Sequence, residues 1–167
     1  MIADGFFSEL FTTHAYAGDI YFCAKDNGAK EKDVIESAYA HIKKNDVDGF
    51  VQGFNIFSEQ LTNMVNLIEA NSTCSARIPS AYLDMAKNIL KVWVVKDSDV
   101  KFDKGAKSLV INGAENIYDD VQLALKHYDE AGDSPLDFAE SGADLARALV
   151  GSDPDTENPD DLEKNII

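Results

Sequence analysis

Two cysteines, three histidines and a large carboxylate population hold whatever chemistry this sequence can do. Cys23 and Cys74 stand 51 positions apart, outside any C-x-x-C pair and with no histidine near enough in sequence to complete a zinc-ligand spacing. Two readings follow. One is a Cys23–Cys74 disulfide in a secreted chain, worth about 4 kcal/mol in the chain-entropy model. The other is a pair of buried thiols acting as small apolar side chains in a reducing compartment. Asn71-Ser72-Thr73, an N-x-T glycosylation acceptor, runs straight into Cys74 through a polar stretch, and this tilts the expectation toward secretion, with sugar on Asn71.

The histidines give less. His14, His41 and His127 fall in three different helical segments, and His41 and His127 take similar places in the two halves of the chain. Such a pair could bind a metal, share a proton or serve a small helical enzyme or inhibitor; a helix-end histidine satisfied by a carbonyl is the plainer alternative. No H-E-x-x-H, no E-x-x-H repeated on two helices and no G-x-S-x-G elbow is present, so neither a catalytic residue nor a metal centre is expected. Gly105-Ala106-Lys107-Ser108 resembles the end of a phosphate loop without its first glycine, and is expected to be a connector ending in a helix cap. Asp97-Ser98-Asp99 and Asp153-Pro154-Asp155-Thr156-Glu157 begin like EF-hand loops, but Ser108 and Lys164 stand where the bidentate glutamate belongs. No cofactor is expected beyond weak divalent-cation binding by the acidic C-terminal tail, whose clustered carboxylates repel one another.

The carboxylates also set the charge. With 30 acidic and 15 basic side chains the formal charge is −15, which disfavours nucleic acid and anionic membranes as partners. No apolar run reaches the ~20 residues of a membrane span. Met1-Ile2-Ala3-Asp4 has neither the basic region nor the apolar run of a cleavable leader, so secretion implies that a leader has been removed.

The elements that must position these residues read as helices. A chain of 167 residues with 45% apolar content fits one domain with a real core. Phe6, Phe7, Leu10, Phe11 and His14 recur at helical spacing, followed by a turn or two over 20–24 carrying Cys23. Phe6, Phe7, Phe11, Tyr16, Tyr21 and Phe22 either fill the core or line a groove for a lipid or a partner helix. Val34, Ile35, Ala38, Tyr39 and Ile42 mark the next helix, and a longer stripe from Val47 to Ile68 follows a cap at Asn45 or Asp46. Pro79 suits the first turn of a helix running to Trp93. Residues 96–107 read as a charged connector and Leu109-Val110-Ile111 as a short apolar piece closed by Asn112-Gly113. Helices over 117–128 and from Pro135 to Gly151 complete the set. The expected fold is all-α: one helical bundle of six or seven helices over residues 1–151, with an acidic tail over 152–167.

Two stretches run in parallel order: Asn27-Gly28-Ala29, Asp33-Val34, Ala38, His41, Asp46, Phe50, Gly53, and Asn112-Gly113-Ala114, Asp120-Val121, Ala124, His127, Asp133, Phe138, Gly142. They describe two pseudo-repeated helical hairpins, with Gly53 and Gly142 letting helices approach closely, or else the shared grammar of unrelated hairpins. The Gly-Phe-Phe helix, Cys23-x2-Asp26, Phe50-x2-Gly53, Val110-Ile111-Asn112-Gly113 and Phe138-x3-Gly142 together resemble small secreted helical proteins of ciliates and related protists. The resemblance implies a secreted helical domain and carries over no catalytic residue.

The functional expectation is therefore a secreted, non-catalytic structural or self-assembling subunit. Protein is its partner, and Asp160, Asp161, Ile166 and Ile167 of the tail are the candidate contacts. The alternative is a carrier of a small hydrophobic ligand held between helices.

Overall fold

Asp46 begins the longest element. Its carboxylate accepts from the Gly49 amide at 2.7 Å, satisfying a donor that a helix start leaves free. From there α4 (Val47–Ala70) runs for 24 residues, burying Phe50, Phe54, Phe57, Leu61, Met64, Val65 and Ile68 along one stripe. The computed structural model describes residues 2–26 and 31–153 of the chain. Around α4 stand α1 (Ile2–Phe11), α2 (Ala17–Asp26), α3 (Glu31–Ile42), a single turn α5 (Ser72–Ser75), α6 (Ser80–Leu90), α7 (Tyr118–Glu130) and α8 (Pro135–Ser152). A two-stranded antiparallel hairpin, β1 (Val100–Asp103) and β2 (Ser108–Ile111), pairs Val100 with Ile111 and Phe102 with Leu109.

The class is all-α, and the details depart from the sequence reading in three places. Eight helices stand among the described residues, because α2 and the short α5 are separate elements. The charged connector is in part a β-strand. Leu109 and Ile111 point into the core and Val100 joins them, so a period of two is present but confined to four-residue strands. Gly105-Ala106-Lys107-Ser108 is the hairpin turn leading into β2, not a helix cap; Asp103 closes it by accepting from the Ala106 amide at 3.1 Å. Of the proposed repeat, Asn27-Gly28-Ala29 lies outside the described residues, as do residues 154–167 with Asp160, Asp161, Ile166 and Ile167.

Two helix pairs meet backbone to backbone. A Cβ at Gly53 would sit 2.4 Å from the Ile42 side chain and 2.8 Å from the Ala38 carbonyl, so α3 and α4 touch where a side chain has no room. At Gly142 of α8 the Cβ would lie 2.0 Å from the Ile2 carbonyl oxygen, and at Gly5 of α1 it would lie 1.8 Å from the Ala139 carbonyl oxygen. Gly142 thus faces α1 rather than α7, its partner in the proposed hairpin. The two glycines serve the same purpose in different pairings.

Aromatic rings fill the centre. Phe6, Phe7 and Phe11 are fully buried; Phe6 meets Phe57 edge-on at 5.3 Å, and Trp93 stacks on Phe54 at 4.3 Å. Of the N-terminal aromatic residues, Phe6, Phe7 and Phe11 serve as core, Tyr16 is half-buried against it, Phe22 is 57% exposed, and the side chain of Tyr21 lies outside those described.

Replacing Gly142 with alanine forces α1 off α8, and overpacking of this kind costs about 3 kcal/mol or more. The control is Gly18→Ala, where nothing lies within 4 Å and a gain of up to about 1 kcal/mol is expected from helix propensity. Urea unfolding of the two variants checks both signs.

Candidate functional site

Cys23 of α2 and Cys74 of α5 are joined in a disulfide with a Cα–Cα distance of 5.9 Å. Asn71, at the junction of α4 and α5, accepts from the amides of Thr73 and Cys74 at 3.0 and 3.1 Å through Oδ1. The carboxamide oxygen thereby caps the turn that carries Cys74, while Ser72 and Thr73 of the acceptor motif are exposed.

The histidines part company. His41 is bonded to Lys44 Nζ at 3.4 Å, one turn along its own segment. His127 of α7 places Nδ1 2.6 Å from Asp144 Oδ2 of α8. The two rings engage different partners, His41 a lysine at the end of its own helical segment and His127 a carboxylate of α8.

Asp144 is the residue the sequence reading missed. Its side chain is only 2% exposed, and its second oxygen accepts from Arg147 at 2.5 Å. Arg147 continues to Glu9 of α1 at 3.0 Å, so one cluster links α1, α7 and α8. A buried carboxylate survives where cations and hydrogen bonds take the place of water. Beside it Asp120 is pushed above the usual carboxylate range, first by burial and then by the charges of Asp144, Asp119 and Glu115, against the opposing pull of Arg147. Tyr39 and Ser141 form a neutral companion network. Their hydroxyls lie 2.6 Å apart, and Ser141 donates to the Ala124 carbonyl at 2.6 Å. Burial, followed by Glu36 and Asp129, raises the phenol of Tyr128, which stacks on Tyr39 at 4.0 Å.

A groove of about 700 Å³ lies between α4 and α6. Glu59, Thr62, Asn63, Asp84 and Lys87 line it, with Val94 exposed at one end. The ammonium of Lys87, 2.8 Å from Glu69 and 3.8 Å from Asp84, is held charged above its ordinary range, chiefly by the Glu69 hydrogen bond. Asn55 and Ser58 at the floor are already engaged: Asn55 pairs with the Val95 amide and carbonyl, both at 2.9 Å, and Ser58 donates to the Leu90 carbonyl. Among the described residues no group of three or more His, Cys, Asp or Glu is arranged to hold a metal. Among them, too, no helix is long and apolar enough to cross a membrane.

Compared with protein-family models, curated proteins and solved structures, the chain matches none.

The cluster yields two expectations. Asp144→Ala removes the buried carboxylate on which the His127 ring and Arg147 converge and costs about 3 kcal/mol through the lost hydrogen bonds, whereas Glu9→Gln breaks an exposed pair and costs less than about 1 kcal/mol. Thermal unfolding of both variants distinguishes a supporting cluster from a decorative one. Asp120, with its folded pKa raised, contributes stability below the ordinary carboxylate range and loses it as pH rises through the folded value. Asp120→Asn therefore raises the melting temperature at neutral pH, and the gain over the parent chain vanishes by about pH 3.

Proposed function

We propose that this chain is a secreted helical module, stapled by one disulfide and glycosylated at Asn71, that works by assembling with protein rather than by catalysis. The observation that carries the reading is the Cys23–Cys74 bridge, because disulfides form and persist in oxidising compartments. The Asn71 cap supports it. The oxygen of the carboxamide is engaged with the backbone, and the nitrogen is the atom that takes a glycan.

The rest of the chemistry favours a non-catalytic role. Both thiols are consumed by each other, and His127 is committed to a buried carboxylate that also holds Arg147. Buried aromatic rings pack on one another, so the N-terminal cluster offers little to an aliphatic ligand. That leaves surface recognition as the activity, and a chain with 30 acidic side chains will recognise through charge.

Intact-mass measurement on protein from its source, before and after reduction, tests the compartment. The expected result is a gain of two hydrogens on reduction and a glycan lost on enzymatic deglycosylation. Two free thiols and a bare Asn71 overturn it. Sedimentation velocity across concentrations, with and without calcium, tests assembly, and a strict monomer under every condition removes that part.

A further inference from the structure

The basic side chains are unevenly distributed. Residues 91–107 carry Lys91, Lys96, Lys101, Lys104 and Lys107 against Asp97, Asp99 and Asp103, a net of two positive charges in a chain whose total is −15. Two of those three acids also accept from loop amides at the surface. Asp99 accepts from the Lys96 amide at 2.9 Å and Asp103 from the Ala106 amide at 3.1 Å, while Lys96, Lys101, Lys104 and Lys107 are exposed. The hairpin β1–β2, with Lys101, Lys104 and Lys107 against Asp103, is thus a local cationic projection on an anionic molecule, with exposed Glu115 and Asp119 flanking the start of α7 beneath it.

The opposite charge gathers at the far end of α7. Between His127 and Ala146 the chain has no Lys or Arg, and Asp129, Glu130, Asp133 and Glu140 are exposed there, with Asp129 bridged to Lys43. The hairpin is fixed to the start of α7: the Ile117 amide donates to the Leu109 carbonyl at 2.8 Å, and the Tyr118 ring stacks on Phe102 at 6.4 Å. Thirteen residues of α7 then place the acidic turn about 20 Å away. That separation is longer than the screening length at physiological salt, so the two surfaces act as distinct poles.

We propose that the hairpin of one copy docks on the acidic α7–α8 turn of a second copy, giving head-to-tail association. The inference rests on the assembly reading above and names its surfaces. Two different patches on one chain make a heterologous contact, which builds rings or open filaments rather than closed twofold dimers. Charge complementarity sets the register and the encounter rate, and salt weakens both.

The test is sedimentation velocity of the full chain at low salt (about 0.15 M, where a screening length of about 8 Å keeps the two poles distinct and damps the repulsion between two acidic chains) and at about 1 M salt, where the screening length falls to about 3 Å. Wild-type protein is expected to associate at low salt and to dissociate at high salt. The hairpin variant Lys101→Glu/Lys104→Glu/Lys107→Glu and the turn variant Glu130→Lys/Asp133→Lys/Glu140→Lys should each weaken self-association at least tenfold. All six sites are exposed, and unchanged melting curves confirm that each variant folds. Mixing the two variants should restore association, because each then meets the other's reversed charge. Oligomers that persist unchanged in either variant, or that ignore salt, overturn the docking surfaces and leave assembly itself standing. A wild-type chain that stays monomeric at low salt removes both.

Discussion

Where Gly142 meets the Ile2 carbonyl, α8 lies on α1 with no side chain between the two backbones. This contact joins segments from the two ends of the described chain, and the polar chemistry of the molecule is arranged around it. Ser141, the neighbour of Gly142, bonds Tyr39 of α3 and the Ala124 carbonyl of α7. One turn on, Asp144 takes His127 and Arg147, and Arg147 reaches Glu9 back on α1. These bonds need the helices at one separation, because a hydroxyl at 2.6 Å has little range to follow a moving partner. The small residue sets the spacing, and the polar groups make that spacing specific.

Most helices were legible because a buried stripe repeats at three and four, and α4 shows it most plainly from Phe50 to Ile68. Its cap was legible for a local reason, since Asp46 bonds an amide only three residues on. The hairpin was not. Lys101 and Asp103 alternate with Val100 and Phe102, yet four residues hold too little of a two-residue period to stand out from a charged loop. Pairing partners were harder still. His127 was visible as a candidate, but its position suggested His41 as the partner, whereas Asp144 is supplied by a helix that only folding brings near. A signal was available: Asp144 sits between Ser141 and Leu145 on the buried face of α8, where an unpaired carboxylate cannot remain.

The same constraint explains how so acidic a chain builds an interior. Asp144 is the one carboxylate among the buried polar residues described; the others are Ser8, Ser58, Gln60, Ser141 and Ser152. Three of the serines return their protons to carbonyls or accept a ring N–H, as Ser152 does from Trp93 at 3.3 Å while donating to Ala148 at 3.0 Å. Asp144 apart, the charged side chains described stand outside the core, where water and salt moderate them. Partly buried Asp120, close to Asp144, shows the limit of that solution: desolvation and its acidic neighbours already resist its ionisation.

The disulfide belongs to a different part of this economy. α5 is a four-residue turn with Cys74 as its one buried side chain, far too short to hold helical form by itself. Two interactions fix it. The Asn71 oxygen caps its amides, and the bridge from Cys74 ties it to Cys23 on α2, with Arg77 and Asp19 paired at 3.3 Å nearby. Both act on the same turn, and with buried Ile78 they set the position from which the chain enters α6. Cap and disulfide thus converge on this one short segment, one acting through hydrogen bonds to its amides and the other through a covalent link to α2.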